Sequence, residues 1–409
     1  MFSRRHLLLG SLTLAAVGAA PLHLALADAP TDRRFIFVIL RGAMDGLAAV
    51  PPYGDPQYRS LRGALALAEP GEADGILDLG GFFGLHPKLT TLKTWYDAGE
   101  ALPIQAVATS YRDRSHFDGQ DLLENGTTQP HGSQDGWLNR SLAALGGQPR
   151  LGLALGDEMP LIIRGKIEVA SWAPTNLAQA DSGFLALVQA MYRKEKPLAD
   201  TLQAAFAADD FAARTLGNGG METPMAGQAN TKPAGRPGSA QLAMFTAAGK
   251  MLADDQGPRI AVLDVGGWDT HSGQGTVDGR LGNNLAQLNA ALAALRQALG
   301  PVWDKTVVMA ATEFGRTAAL NGTGGTDHGT AGAAFLMGGA VKGGRVLTDW
   351  PGLAPANLYQ GRDVAPTLDL RAVAKAVLRD HLGLSNEQLA QSIFPGSGAI
   401  APTTGLIRS

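Results

Sequence analysis

The sequence predicts an α/β fold, and three observations carry that prediction. Between residues 260 and 344 the chain reads IAVLDVGGWDTH, then a helical run, then TVVMAATEFGR, then GTDHGTAGAAFLMGG. Each piece contains a short, continuously apolar run of strand length, the signature of strands buried on both faces of a sheet. Leu285, Leu288, Leu292, Leu295 and Leu299 recur at spacings of three and four. They predict an amphipathic helix over 283–299 laid on that sheet. Gly300-Pro301 stops it, and strand, helix, strand predicts a right-handed parallel crossover.

Polar groups stand where these strands stop. The first run ends in Asp264, Asp269 and His271, the second in Glu313 and Arg316, and the third begins just after Asp327 and His328. Ligands of open α/β sheets gather beyond strand ends. Taken singly, an Asp-x-His pair recurs by chance and DHG is a polar turn. Three such clusters, each at a strand edge, predict a metal or anion site. Carboxylate oxygens mixed with imidazole nitrogens suit a divalent metal, Zn or Mn first and Ca or Mg as alternatives, one or two ions.

At 409 residues the chain is long enough for one large domain or two ordinary ones. Its 45% apolar and 17% charged residues describe a globular chain. The 53 glycines predict many tight turns. The net charge of −3, with no basic stripe, excludes nucleic acid as a partner. With no cysteine, disulfide scaffolds and thiolate zinc sites are excluded.

The N-terminus predicts export. Arg4 and Arg5 precede an apolar stretch from Leu7 to Ala20 that is too short for a confident membrane span. Ala25-Leu26-Ala27 is a small-x-small cleavage site. The order Ser3-Arg4-Arg5-His6-Leu7-Leu8 is similar to a bacterial twin-arginine signal, so residues 1–27 are set aside and a periplasmic or secreted location is expected. Losing the two arginines takes the net charge from −3 to −5. No transmembrane segment is expected in the mature chain, 28–409.

Along that chain, RFIFVIL (34–40) predicts a buried strand running into Arg41-Gly42-Ala43-Met44-Asp45-Gly46, which sets Asp45 at the sheet rim on a sharp turn. Residues 89–98 predict a helix with Leu92, Trp95 and Tyr96 on one face, and 102–108 predict a strand. Ser115 and Asp118 then have the spacing of a capping box. A serine at a helix N-terminus also sits where amides favour anions, so Ser115 is either a cap or a nucleophile toward a phosphate or sulfate ester. His116 is a candidate ligand or proton carrier. Asp135 is a candidate N-cap for a helix over 135–145. The runs 151–155 and 159–164 read as a small β region, 183–216 as two helices, and 369–382 as a helix with Val373, Val377 and Leu378 inward. Gly, Pro, Asn and Thr crowd 216–240, a surface loop and the best internal boundary.

With the strands placed, the chain resembles the alkaline phosphatase–sulfatase superfamily, and more closely its twin-arginine-exported branch, the DUF1501 family. The pieces RGAMDG, RSHFDGQ, GGWDTH, ATEFGRT and TDHGTAG carry the resemblance. It implies a three-layer α/β/α sandwich around a mixed, mostly parallel central sheet, spanning nearly the whole mature chain as a single domain. It also implies Asp45, Asp269, His271, Glu313, Asp327 and His328 as metal ligands and Ser115 as the nearest match to the nucleophile. Two departures are visible: Phe314 stands where a metal-binding histidine is expected, with Asp327 as a substitute, and Ser115 lies further from its strand than the pattern has it.

The expected function is an exported metal-dependent hydrolase of small phosphate or sulfate esters, with Arg316 binding the anion or, equally, serving as an ion-pair partner. The alternative is a catalytically silent binding or assembly factor that keeps the fold and engages a cell-envelope component.

Overall fold

The strand Arg34–Leu40 (β1) is buried along its whole length. Its residues split cleanly between two cores. Ile36, Val38 and Leu40 pack into one apolar cluster, and Phe35, Phe37 and Ile39 into the other. That alternation follows from the period of two in a strand and requires a covering layer on each face. The structure, a computed structural model, describes residues 31–147, 150–156, 158–173, 182–216 and 238–408. The signal-like segment 1–27 and nearly all of the loop expected at 216–240 lie outside the described residues.

Seven further strands join β1: Ala101–Ala108 (β2), Gly152–Leu155 (β3), Ala170–Trp172 (β4), Ile260–Val265 (β5), Thr306–Ala311 (β6), Gly332–Met337 (β7) and Leu368–Asp369 (β8). The sheet order is β8-β2-β7-β6-β1-β5-β3-β4. All pairings are parallel except those of β7, which runs antiparallel to both β2 and β6. The expected mixed, mostly parallel sheet is what forms. The strands β5 and β6 flank β1 rather than each other, so the predicted strand-helix-strand unit spans the central strand.

Helices cover both faces. On the Ile36 side lie Thr90–Asp97, Ser239–Ala253 and Arg280–Leu299, contributing Trp95, Phe245 and the predicted leucine stripe to the core. On the Phe35 side lie His116–Asn125, Trp137–Ala144 and Leu370–Asp380, contributing Leu123, Trp137 and Val377. The helix Ser239–Ala253 begins inside the stretch expected to be loop. Its sequence, SAQLAMFTAAGKMLA, is small and apolar on nearly every side, so it lacks a clear 3.6-residue period. Gly249 explains the close packing: a Cβ there would lie 2.5 Å from Ala298 Cβ and 2.8 Å from the Leu295 carbonyl.

Other local expectations change as well. The run 159–164 is a 3-10 turn, Leu161–Ile163, entered from Pro160 at φ −65°, and not a strand. The cap of Trp137–Ala144 is Gly136, while Asp135 accepts from Ser133 and Arg140. Among the described residues no helix is long and apolar enough to cross a membrane.

Two buried histidines set a pH limit on this core. Burial pushes His86 and His381 down to about 4, each with Nε2 on a backbone carbonyl, Thr276 at 3.1 Å and Arg34 at 2.9 Å. Both rings are neutral in the fold and would be protonated in the unfolded chain below about 6.5. Stability is therefore complete above that value and is lost as pH falls toward 4, by roughly 3 kcal/mol at most per ring. Urea midpoints at pH 7 and 4.5 are expected to show this loss, and His381→Gln to flatten the slope. An unchanged slope would contradict the assignment.

Candidate metal centre

Five segments meet at one rim of the sheet. The parallel strands β1, β2, β5 and β6 deliver the loops beyond their C-terminal ends: 41–45, 109–116, 266–274 and 312–316. Because β7 runs the other way, it delivers the residues that precede it, Asp327 and His328, to the same edge. Glycines let these segments touch. Gly42, at φ +115°, approaches Asp269 so closely that a Cβ would come within 2.6 Å of its backbone nitrogen. Trp268, fully buried, anchors the 266–274 loop, its Nε1 donating to Val265 O at 2.9 Å.

The meeting point is a single oxygen, Asp269 Oδ1. Around it stand His271 Nε2 at 3.1 Å, His328 Nε2 at 3.4 Å and His116 Nε2 at 3.5 Å. Ligand atoms of His116, Asp269 and His328 all lie within 4.8 Å of one another. His271 Nε2 lies 2.8 Å from His328 Nε2.

Each ring is fixed through its other nitrogen. His116 Nδ1 lies 2.7 Å from Glu313 Oε1, His271 Nδ1 lies 3.2 Å from Asp327 Oδ1, and His328 Nδ1 lies 2.9 Å from the Arg114 carbonyl. All three partners are acceptors, so each Nδ1 donates outward and the Nε2 edges of the three rings face inward. His116 Nε2 is buried and has no hydrogen-bond partner. Two ring nitrogens 2.8 Å apart, with a third beside the same carboxylate, stay together only with a proton or a cation between them. This donor set fits a divalent metal: three imidazoles and a carboxylate, each imidazole oriented from behind as metal-bound histidines are.

The supports are built as firmly as the donors. Glu313 is wholly buried, and its Oε1 accepts from His116, from Gly42 N at 2.9 Å and from Gln120 Nε2 at 3.1 Å, while Oε2 accepts from Thr312 Oγ1 at 2.8 Å. Burial raises the cost of its charge, yet the bonds from His116 and its other donors hold its carboxyl below the usual value. The same Glu313 bond holds His116 above the usual imidazole value. Burial and the nearby His116 charge push His328 down. Asp269 loses by burial but gains more from Arg316, and stays low. The Asn321 bond holds Asp327 low despite partial burial, with His271 adding to it.

In the sequence Arg114 reads only as positive charge. Its backbone, at φ +62°, aims its carbonyl at His328, and its guanidinium is held by the buried Asp363 at 2.7 and 2.9 Å. A backbone carbonyl leaves no trace in a residue pattern, so nothing in the sequence singles out this contact.

The structure gathers His116, Asp269, His271, Glu313, Arg316, Asp327 and His328, and places the other expected residues differently. Asp45 is buried in an ion pair with Arg62, accepts from Gln274 Nε2 at 2.7 Å, and caps the short helix Gly46–Ala49 through Leu47 N and Ala48 N. It is thus saturated outside the histidine cluster. Ser115 occupies the N-cap position of His116–Asn125, but its side chain makes no cap bond, and Asp118 instead takes the Tyr111 hydroxyl at 3.2 Å. Arg316, expected either at the anion or as a surface ion-pair partner, is fully buried. It donates to the carbonyls of Ala43 (2.8 Å), Thr326 (2.9 Å) and Gly42 (3.0 Å) and pairs with Asp269. Phe314 stacks on the His116 ring at 5.0 Å and lies 5.3 Å from that of His328, closing one side of the cluster with hydrocarbon.

Arg316→Met is expected to cost about 3–5 kcal/mol, because it strands Asp269 and the carbonyls of Gly42, Ala43, Trp268 and Thr326 at once. Arg316→Lys is expected to recover little, since one ammonium replaces a forked donor. A loss under about 1 kcal/mol in urea denaturation would show that Arg316 is not the clamp of this rim.

A comparison with curated protein sequences found no match. Among solved structures, the chain is similar to the lipoteichoic acid synthase LtaP of Listeria monocytogenes, at 11% identity and TM-score 0.36, covering 93% of this chain and 79% of that one. It is similar to the zinc complex of the C-terminal periplasmic domain of Escherichia coli EptC, at 8% identity and TM-score 0.34, covering 76% and 74%. It is also similar to the phosphonate monoester hydrolase of Agrobacterium radiobacter, at 10% identity and TM-score 0.36, covering 77% and 70%. The sequence matches the model of the family described as "Protein of unknown function (DUF1501)" over residues 99–393, and the chain belongs to that family.

Proposed function

We propose that this chain is an exported, metal-dependent hydrolase of phosphate or sulfate esters, with one divalent ion, Zn or Mn, held by His116, Asp269, His271 and His328. The observation that carries this is the pair of facing Nε2 atoms 2.8 Å apart beside Asp269, each ring oriented through Nδ1. Two of the donors are open to solvent, with the Asp269 side chain 45% and the His271 side chain 42% exposed, so a small anionic ester can reach the site from their side. Bound there, the ion would polarise an ester oxygen and offset the charge that develops on it.

The protein's own groups do the rest. Glu313, Asp327 and the Arg114 carbonyl orient the three rings, and Arg316 holds Asp269. Ser115, one residue before His116 and uncommitted to capping, is the nucleophile: its hydroxyl proton passes to water as its oxygen bonds to phosphorus or sulfur, the ester oxygen leaves as the alcohol after taking a proton, and water then hydrolyses the seryl ester to release phosphate or sulfate and restore the hydroxyl. Phe314 keeps water from one flank. Export rests on Arg4 and Arg5, outside the described residues.

Two observations favour the second reading, a silent envelope factor. Phe314 occupies the flank where further ligands would stand, and the Arg316 guanidinium is taken up by protein acceptors. Turnover separates the two. The mature chain loaded with Zn or Mn is expected to hydrolyse nitrophenyl phosphate or sulfate. Ser115→Ala is expected to lower the rate at least about a hundredfold with metal content unchanged, and His328→Ala to lose both. Full metal occupancy with no turnover of either ester would overturn the hydrolase in favour of the silent factor.

A further inference from the structure

The helix Ser182–Tyr192 reads SGFLALVQAMY and carries no charged residue. A helix this apolar is ordinarily buried. Here Leu187 is 59% exposed and Met191, one turn on, 66% exposed; Tyr192 and Leu198 add 36% and 46%. Leaving large side chains in water forgoes the burial that stabilises a core, and clustered exposure of this kind marks an interaction surface.

The residues just beyond the helix indicate the partner. The connection to the next helix, Lys196–Leu216, reads Arg193-Lys194-Glu195, and Arg193 and Lys194 are exposed. The chain as a whole carries −3, so this basic end is opposite in sign to the molecule that bears it. Exposed apolar residues one helical turn apart, with cations just beyond the helix end, suit a bilayer interface, where hydrocarbon enters the acyl boundary and cations meet anionic headgroups.

We propose that the Ser182–Tyr192 helix and its basic end form a docking surface for an anionic lipid bilayer, holding the chain peripherally. This is independent of the metal centre. A protein with its own acidic patch is the competing occupant, but an acidic patch alone gives Leu187 and Met191 no apolar phase to enter.

The test is sedimentation of the mature chain with vesicles of phosphatidylglycerol and phosphatidylcholine, against phosphatidylcholine alone, with chelator present so that divalent bridging is removed. Binding to the anionic vesicles only, weakened by salt, is expected. Arg193→Gln with Lys194→Gln is expected to lower partitioning about thirtyfold. Leu187→Asn with Met191→Asn is expected to lower it further, and both changes lie at exposed positions, with folding checked by circular dichroism. Equal binding to both vesicle types, no binding, or an unaffected Leu187→Asn, Met191→Asn variant would overturn the proposal. So would concentration-dependent self-association abolished by that variant in the absence of vesicle binding, which assigns the face to a second copy.

Discussion

Three imidazole nitrogens directed at one carboxylate oxygen form an arrangement that the rest of this molecule is built to hold. Asp269 Oδ1 has the Nε2 atoms of His116, His271 and His328 within 3.5 Å, and His271 and His328 lie closer to each other than to it. Ring nitrogens crowded in this way gain nothing from one another without a proton or a cation between them. They stay because each ring is fixed by an acceptor on its far side and because Arg316 fixes the carboxylate. The strain of convergence is therefore carried by Glu313, Asp327, Asp363 and Arg316, most of them buried, where a hydrogen bond to a charged group is strongest and its loss most costly.

The sheet makes that convergence possible. Parallel strands present their C-terminal ends along one rim, and the reversed β7 brings Asp327 and His328 to that rim from the other direction. Loops from four strands can then cross only where side chains are absent. Gly42 against Asp269, Gly315 against the Ala331 carbonyl and Gly325 against the His271 backbone are such crossings. Glycine in these loops is a packing requirement of the site as much as a turn device.

Much of this is legible in the residue pattern. Short apolar runs mark the strands, because a strand covered on both faces has no polar alternation to hide it. Asp269, His271 and His328 are legible because they stand at the ends of such runs. Asp45 stands at a strand end in the same way, and what separates it from Asp269 is Arg62, seventeen positions on, which a linear pattern does not pair with it. Glu313 and His116 are 197 positions apart, so the hydrogen bond that turns the glutamate toward an imidazole exists only in three dimensions. The helix Ser239–Ala253 is hidden for a different reason: packed tightly against Arg280–Leu299, it needs small residues, and small residues blur the period that reveals a helix.

Whether the three Nε2 atoms and Asp269 face a cation is tested most directly by X-ray diffraction from crystals of the purified protein, recorded on both sides of the zinc and manganese absorption edges. An anomalous peak is expected within bonding distance of Asp269 and His328, about 2.0–2.2 Å for zinc, with the Nδ1 contacts to Glu313, Asp327 and the Arg114 carbonyl kept. A fully ordered cluster with no anomalous density after metal supplementation, or a peak bound elsewhere, would contradict it.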